Sequence, residues 1–318
     1  MVNLNDMNIL ITGIHGFVGT NLVNSLKNSH CIYGLDIVAP EKDGVKKTYS
    51  WDDLDSGKLP EIDAIIHLAG KAHDLKNSSS PDVYFKVNTD LTIRIYDWFL
   101  KSNAKKFIFF SSVKAAADFV PGDVLTEDII PAPVGPYGES KIKAEEYIRS
   151  KWDAKEKQTI ILRPCMIHGP GNKGNLNLLY GIVRKGIPWP LGSFENRRSF
   201  TSVGNLTFVI SELLLRDINT GIYNMGDDEA LSTNELIDVI CKAMGKKAHI
   251  WNLPKGLMTL MAKCGDKLHL PLNSERLTKL TENYVVSNAK IKSAISIKKM
   301  PFTAKEGLTK TIESFQNT

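Results

Sequence analysis

Asn8-Ile9-Leu10-Ile11-Thr12-Gly13-Ile14-His15-Gly16-Phe17-Val18-Gly19 is the segment around which the rest of the chain can be arranged. Asn8 to Thr12 is a short run of apolar residues, of the kind that fills a strand buried on both faces of a parallel sheet. Three glycines follow at Gly13, Gly16 and Gly19, and a helical pattern starts at Phe17 and continues to Lys27. Each glycine answers a separate demand: a sharp turn, close approach of the backbone to a pyrophosphate, and tight packing of the helix on the strand. The helix then offers free N–H groups to the anion. A second apolar run, Cys31 to Asp36, ends in an acid at about the 20-residue spacing of a carboxylate that receives ribose hydroxyls. The combination predicts dinucleotide binding. A 2′-phosphate would meet Asp36 as a like charge, so NAD is expected over NADP, while Lys42, Lys46 and Lys47 downstream could serve a phosphate instead.

Outward from this turn the alternation continues. Ala64 to Leu68, Lys106 to Ser111 and Thr159 to Arg163 read as further buried strands, and Asp82 to Ser102 and Tyr137 to Lys151 as helices. The fold class is therefore α/β, a doubly wound parallel sheet with right-handed crossovers. Beyond Pro164 the pattern loosens into loops rich in Gly, Pro and Asn, which places a boundary there: 1–164 as the dinucleotide domain and 165–318 as a smaller, mixed domain interleaved with it. Ser232-Thr233-Asn234-Glu235 and Thr303-Ala304-Lys305-Glu306 have the spacing of capping boxes, and Gly245 is expected to end the first of these helices.

The 318 residues are 42% hydrophobic and 24% charged, which excludes a disordered chain or a small disulfide scaffold. The net charge of +5 is scattered in ones and twos, so no nucleic-acid partner is expected. No apolar run approaches the roughly 20 residues that span a bilayer, and Met1 to Met7 is polar; a cytoplasmic protein without an integral membrane segment is expected. Cys31, Cys165, Cys241 and Cys264 lie far apart with no CxxC pair and read as packing thiols, not as metal ligands.

Chemistry is concentrated after the strand Lys106 to Ser111, which delivers Ser111-Ser112 at its carboxyl end, where open α/β sheets hold their ligands. Tyr137 and Lys141 stand four apart on one face at the start of a helix. A cation one turn away should lower the phenol pKa and fit Tyr137 to act as general base or acid, with Ser112 holding the same substrate oxygen.

The turn 13–19, Asp36, His67-Leu68-Ala69-Gly70, Ser111-Ser112, Tyr137-x-x-x-Lys141 and Arg163-Pro164 occur in the order of the extended short-chain dehydrogenase/reductases. Within them the chain resembles the NAD-dependent sugar-nucleotide epimerase/dehydratase group. That resemblance implies a Rossmann-type first domain and a C-terminal domain that binds a nucleotide sugar. It implies Ser112, Tyr137 and Lys141 as the catalytic set. It implies a cofactor site of Gly13, Gly16, Phe17, Val18, Asp36, Leu68, Ala69, Gly70, Asn88, Tyr137, Lys141 and Pro164. Arg198, in Asn196-Arg197-Arg198-Ser199-Phe200, would grip the diphosphate together with Arg276, and Asn175 would also contact substrate. A homodimer and a UDP-sugar substrate are implied as well.

The chain departs from the family pattern at two points. His168 replaces the tyrosine usual before Gly169-Pro170-Gly171, and would either line the nicotinamide pocket or simply pack. Dehydratases follow the catalytic hydroxyl with Asp-Glu, whereas Ser112 is followed by Val113-Lys114, so elimination of water is disfavoured. A 4-epimerase is the expected activity, a 4-ketoreductase the alternative, and a silent binding protein the least favoured. The stretch Tyr284 to Lys290 resembles the region that lines the sugar pocket. Asn252 to Leu272 is amphipathic, and reads as a helix covering the substrate domain or as a membrane or subunit contact.

Overall fold

The structure is a computed structural model and describes residues 6–72, 80–152, 156–172, 174–268 and 272–316. Nine strands are formed among these residues: β1 (Asn8–Thr12), β2 (Cys31–Leu35), β3 (Lys47–Tyr49), β4 (Ala64–His67), β5 (Lys106–Phe110), β6 (Gln158–Pro164), β7 (Met166–His168), β8 (Phe200–Ser202) and β9 (Gly221–Met225). Seven make one sheet in the order β3-β2-β1-β4-β5-β6-β9, with every pairing parallel. The order reverses between β1 and β4, and a crevice for ligand opens at such a switch point beyond the carboxyl ends of the strands.

The apolar runs become strands because both faces are covered. On one face Ile9, Ile11, Ile108, Ile160 and Leu162 pack under Leu22 and Val23 of the helix Phe17–Leu26, and under Leu206, Val209 and Leu213 of the helix Val203–Leu215. On the other, Leu10, Ile65, Phe107 and Ile161 pack under Ile95, Tyr96 and Phe99 of the helix Leu91–Lys101 and under Ala144 and Ile148 of the helix Gly135–Lys151. At roughly 1.5–3 kcal/mol for each large apolar side chain removed from water, these two layers hold the sheet.

Four strands lie beyond the expected set, two of them in the main sheet. β3 is a three-residue edge strand, half polar as edges tend to be, inside what reads as a lysine-rich loop. β9 comes from the second half and pairs with β6 from Ile160↔Gly221 to Pro164↔Met225, so the sheet is completed by residues beyond 164. β7 and β8 form a separate parallel pair. A second core gathers Trp189, Leu236, Ile237, Ile240, Met258, Leu277, Leu308 and Ile312 from the C-terminal helices.

The helix expected from Asp82 to Ser102 is interrupted. Pro81–Tyr84 is α-helical, Phe85–Asp90 is a π-helix, and Leu91–Lys101 returns to α. Single-turn π segments often sit at functional sites, and this one carries Asn88 and Thr89 inward. Ser232 and Glu235 form a reciprocal capping box, Thr303 and Glu306 exchange the equivalent bonds, and Gly245 takes a φ of +65° after the helix Thr233–Ala243. The cysteines are free, but Cys264 is exposed and is not the packing thiol expected there. Of the amphipathic stretch 252–272, residues 255–268 are helical and 269–271 lie outside the described residues.

Candidate active site

The three glycines of the turn divide their work as their surroundings dictate. Gly13 has a φ of +68°, and a Cβ on it would lie 2.9 Å from the Ala69 nitrogen. Gly19 could accept no side chain either, since a Cβ there would come within 2.7 Å of the Gly13 and Ile14 carbonyl oxygens. Gly16 differs: its Cβ would meet only the Gly13 oxygen, at 3.1 Å, so that side of the residue is clear of protein. Gly16 is the N-cap of the helix Phe17–Leu26, makes no side-chain cap, and has no acid in the following turn. This cradle fits a pyrophosphate approaching exposed helix N–H groups. Phe17 and Val18 form the first turn and are partly buried. Asn21 fastens that turn to the later loop by donating to both the Phe17 and Pro170 carbonyls.

Asp36 follows β2, and each of its oxygens accepts one backbone N–H, from His15 at 3.1 Å and Ile37 at 2.8 Å. That fixes the carboxylate beside the turn with acceptor capacity left for hydroxyls. Lys42 lies near this region, donating to Thr20 at 2.8 Å; burial lowers its pKa, and the charge of Asp36 opposes that fall.

The exit of β4 is held by a directional chain of hydrogen bonds. Thr12 Oγ1 accepts the N–H groups of Leu68 and Ala69, at 3.1 and 2.9 Å, and so must give its own proton to His67 Nδ1 at 2.7 Å. His67 Nε2 then donates to Thr92 Oγ1 at 2.9 Å, and Thr92 donates to the Asn88 carbonyl at 2.7 Å. Burial holds the His67 pKa well below its usual value, and the Lys141 charge acts in the same direction, so the ring is neutral. Asn88 is fully buried: its Oδ1 accepts the Lys71 N–H at 2.7 Å, and its Nδ2 donates to the Lys71 carbonyl and to Ser140 Oγ. Asn88 thus ties the Leu68-Ala69-Gly70 loop to the tyrosine helix. A Cβ at Gly70 would lie 2.9 Å from Asn88 Oδ1 and 3.1 Å from Lys141 Nζ, so these three residues converge.

Ser112 caps the short helix Val113–Ala116, accepting the Lys114 N–H at 3.2 Å, and its side chain lies close enough to the Tyr137 phenol to favour the phenolate. Lys141 is buried and donates to the Phe110 carbonyl at 2.9 Å, with its ammonium 5.0 Å from the centre of the Phe109 ring. Burial brings its pKa down to about 8, against the pull of Glu145. The Tyr137 phenol is shifted upward rather than downward as the sequence suggested. Burial is the main cause, the neighbouring Ser112 only partly opposes it, and Tyr84 adds to it. The physical reason is that the lysine is itself desolvated and directed at a carbonyl.

Sequence reasoning overlooked what lies beneath this set. Glu145, one turn past Lys141 and fully buried, accepts the Ser111 hydroxyl at 2.5 Å and Arg163 at Nε (2.9 Å) and Nη2 (2.5 Å). The i, i+4 placement after Lys141 was the available signal.

The remaining candidates are distributed around the second half. Pro164 ends β6 against Met225. Arg198 donates to the Lys279 carbonyl and lies 3.6 Å from Glu282, while its backbone bridges to Leu231 and Tyr284. Arg276 is exposed on the helix Ser274–Thr281, three residues before Lys279. Asn175 is exposed as the first residue of the helix Asn175–Arg184. Tyr284 is buried and donates to the Val113 and Ala117 carbonyls, which sets its stretch beside Ser112. His168 packs: it is buried against Thr311 at 2.9 Å, and burial lowers its pKa to about 4. Among the described residues no group of acids, histidines and cysteines is arranged to hold a metal, and no helix is long and apolar enough to cross a membrane.

The sequence model of the NAD dependent epimerase/dehydratase family matches residues 9–226. The UDP-glucose 4-epimerase of Vibrio cholerae is 31% identical, over 96% of this chain and 95% of that one. An N-acetyl-alpha-D-glucosaminyl-diphospho-ditrans,octacis-undecaprenol 4-epimerase of Escherichia coli O157:H7 is 28% identical, over 98% and 95%. The crystal structure of UDP-glucuronic acid 4-epimerase from Bacillus cereus in complex with NAD shares the fold, with a TM-score of 0.75 at 19% identity over 98% and 99% of the two chains.

Proposed function

The chain belongs to the NAD-dependent epimerase/dehydratase family, and from that premise we propose that it is an enzyme interconverting the 4-epimers of a UDP-sugar through a 4-keto sugar. The observation that carries this reading is the placing of Ser112 against the Tyr137 phenol at the carboxyl end of the sheet, with Lys141 buried one turn further along the same helix. The glycine cradle, Asp36 and the Asn88-clamped loop would hold NAD, with Pro164 at the far strand end; when bound it supplies reversible oxidation at the sugar C4. Tyr137 would remove the proton of the 4-hydroxyl and return it, and Ser112 would hold the same oxygen in line. Because burial makes the phenolate costly, a charged Lys141 nearby is what would make that proton transfer accessible at neutral pH. Arg198, Arg276 and Asn175 would hold the nucleotide diphosphate, with 165–318 acting mainly as the substrate side.

Dehydration is not supported by the local chemistry. Val113 is in the core, and Lys114 is paired with Asp118 at 2.9 Å, so the two positions after Ser112 offer no free acid and base. The reading takes the enzyme to be a cytoplasmic homodimer, a mass that sedimentation velocity would report. The decisive experiment incubates purified protein with UDP-glucose or UDP-N-acetylglucosamine without added reductant. The 4-epimer should accumulate to equilibrium with no net change in NADH absorbance. Stoichiometric NAD(P)H consumption with a 4-keto sugar, and no epimer exchange, would replace this reading by a reductase.

A further inference from the structure

The helix Lys255–Leu268 carries two apolar faces, and only one has a partner among the described residues. Met258, Ala262 and Gly265 are buried; Met258 and Ala262 join the second core with Leu236, Ile237 and Leu277. Leu257, Leu260, Met261, Cys264 and Leu268 fall at i, i+3, i+4, i+7 and i+11, a single stripe along a helix, and they face outward. The four large ones are 45–67% exposed, and Trp251, just before the helix, is 55% exposed. Single exposed apolar side chains are ordinary on a protein surface, whereas a continuous stripe marks a contact.

The charges around the stripe identify what it meets. Lys263 and Lys267 follow Leu260 at i+3 and i+7 and line one border of the stripe, both exposed. Lys255 is turned to the Phe194 ring, 5.7 Å away, and the only acid of the helix, Asp266, accepts both the Ser274 N–H and its hydroxyl. An apolar ridge bordered by cations is complementary to acyl chains beneath anionic headgroups. It is poorly complementary to itself, since antiparallel two-fold pairing centred on the stripe would bring Lys263 up against its own copy, and the helix has no unpaired acid to answer Lys267. At fourteen residues the helix could only lie in such a surface, not cross it.

We propose that the outward face of the helix Lys255–Leu268 is a docking surface for an anionic lipid bilayer. The helix packs on Ser274–Thr281, which carries Arg276 and receives the Arg198 hydrogen bond at Lys279, so docking holds that side of the protein at the lipid surface. The proposal stands on the stripe and does not depend on the identity of the sugar.

Flotation of the full chain with phosphatidylglycerol/phosphatidylethanolamine vesicles tests it, with phosphatidylcholine vesicles as the neutral control. The wild-type chain should float with the anionic vesicles and less so as salt shortens the screening length. Leu260→Glu/Met261→Glu and, separately, Lys263→Glu/Lys267→Glu should each lower the bound fraction by about tenfold or more, with UDP-sugar turnover in solution unchanged. A wild-type chain that stays out of anionic vesicles, or variants that float as well as wild type, overturns the proposal. So does a halving of the sedimenting mass by Leu260→Glu/Met261→Glu, which would assign the stripe to a second copy of the chain.

Discussion

Two sets of charged side chains in this molecule are held in opposite ways. Under the tyrosine helix, Glu145, Arg163 and Lys141 are at most 5% exposed, and Glu145 takes two bonds from one guanidinium and one from Ser111. Around Arg198 the contacts are looser: the arginine and Glu282 remain 25% and 16% exposed and 3.6 Å apart. The first set has traded hydration for fixed partners, so its geometry is set before any ligand arrives. The second keeps water within reach, so under the proposed function it would exchange its present partners for a diphosphate at little cost. The contrast separates a floor fixed beneath the proposed catalytic set from a proposed substrate side whose charges stay in reach of water.

Substitutions in the two sets should therefore fail differently. Tyr137→Phe keeps the ring but removes the proposed proton carrier, and steady-state assays should show kcat reduced by roughly 10²–10⁴-fold with substrate binding retained. Glu145→Ala leaves a buried guanidinium without its counter-charge; denaturant unfolding should report a loss of about 3–5 kcal/mol. Arg198→Ala should raise KM by about 10–100-fold, the worth of charge-assisted hydrogen bonds, while the unfolding midpoint stays near wild type. A large stability loss in Arg198→Ala would erase the distinction between the sets. The smallest effect is a titration. Lys141 has a pKa lowered to about 8, so its charge is lost as pH rises through that value, and kcat/KM should fall to about half near pH 8. Lys141→Met should lack that limb altogether.

The same contrast explains what could be read from the chain. β1, β4, β5 and β6 are legible because strands covered on both faces must be apolar almost throughout. β3 and β9 are not, since an edge strand of Lys-Thr-Tyr and a strand of Gly-Ile-Tyr-Asn-Met carry no such run. Ser112, Tyr137 and Lys141 are legible from spacing and order. The direction of the Tyr137 shift is not, because it depends on how far burial outweighs a neighbouring charge, and burial is a property of the assembled fold. The interruption of the helix at Phe85–Asp90 leaves no periodic trace either, as it is set by where Asn88 must point to reach Lys71 and Ser140.

The placement of β9 has a consequence for how the protein is made. When synthesis reaches Pro164, β6 is an open edge, and the face carrying Ile160 and Leu162 still awaits the helix Val203–Leu215 that covers it. At about 5–20 residues per second, the stretch from Pro164 to Met225 takes roughly 3–12 s to emerge. During that interval the nascent chain presents both an unpaired strand and an oily surface, the two features that invite neighbouring chains to stick. The first 164 residues are thus complete in sequence well before the sheet they begin is complete. A break in the gene or a ribosomal pause anywhere in that interval would leave an aggregating fragment rather than a smaller dinucleotide-binding protein.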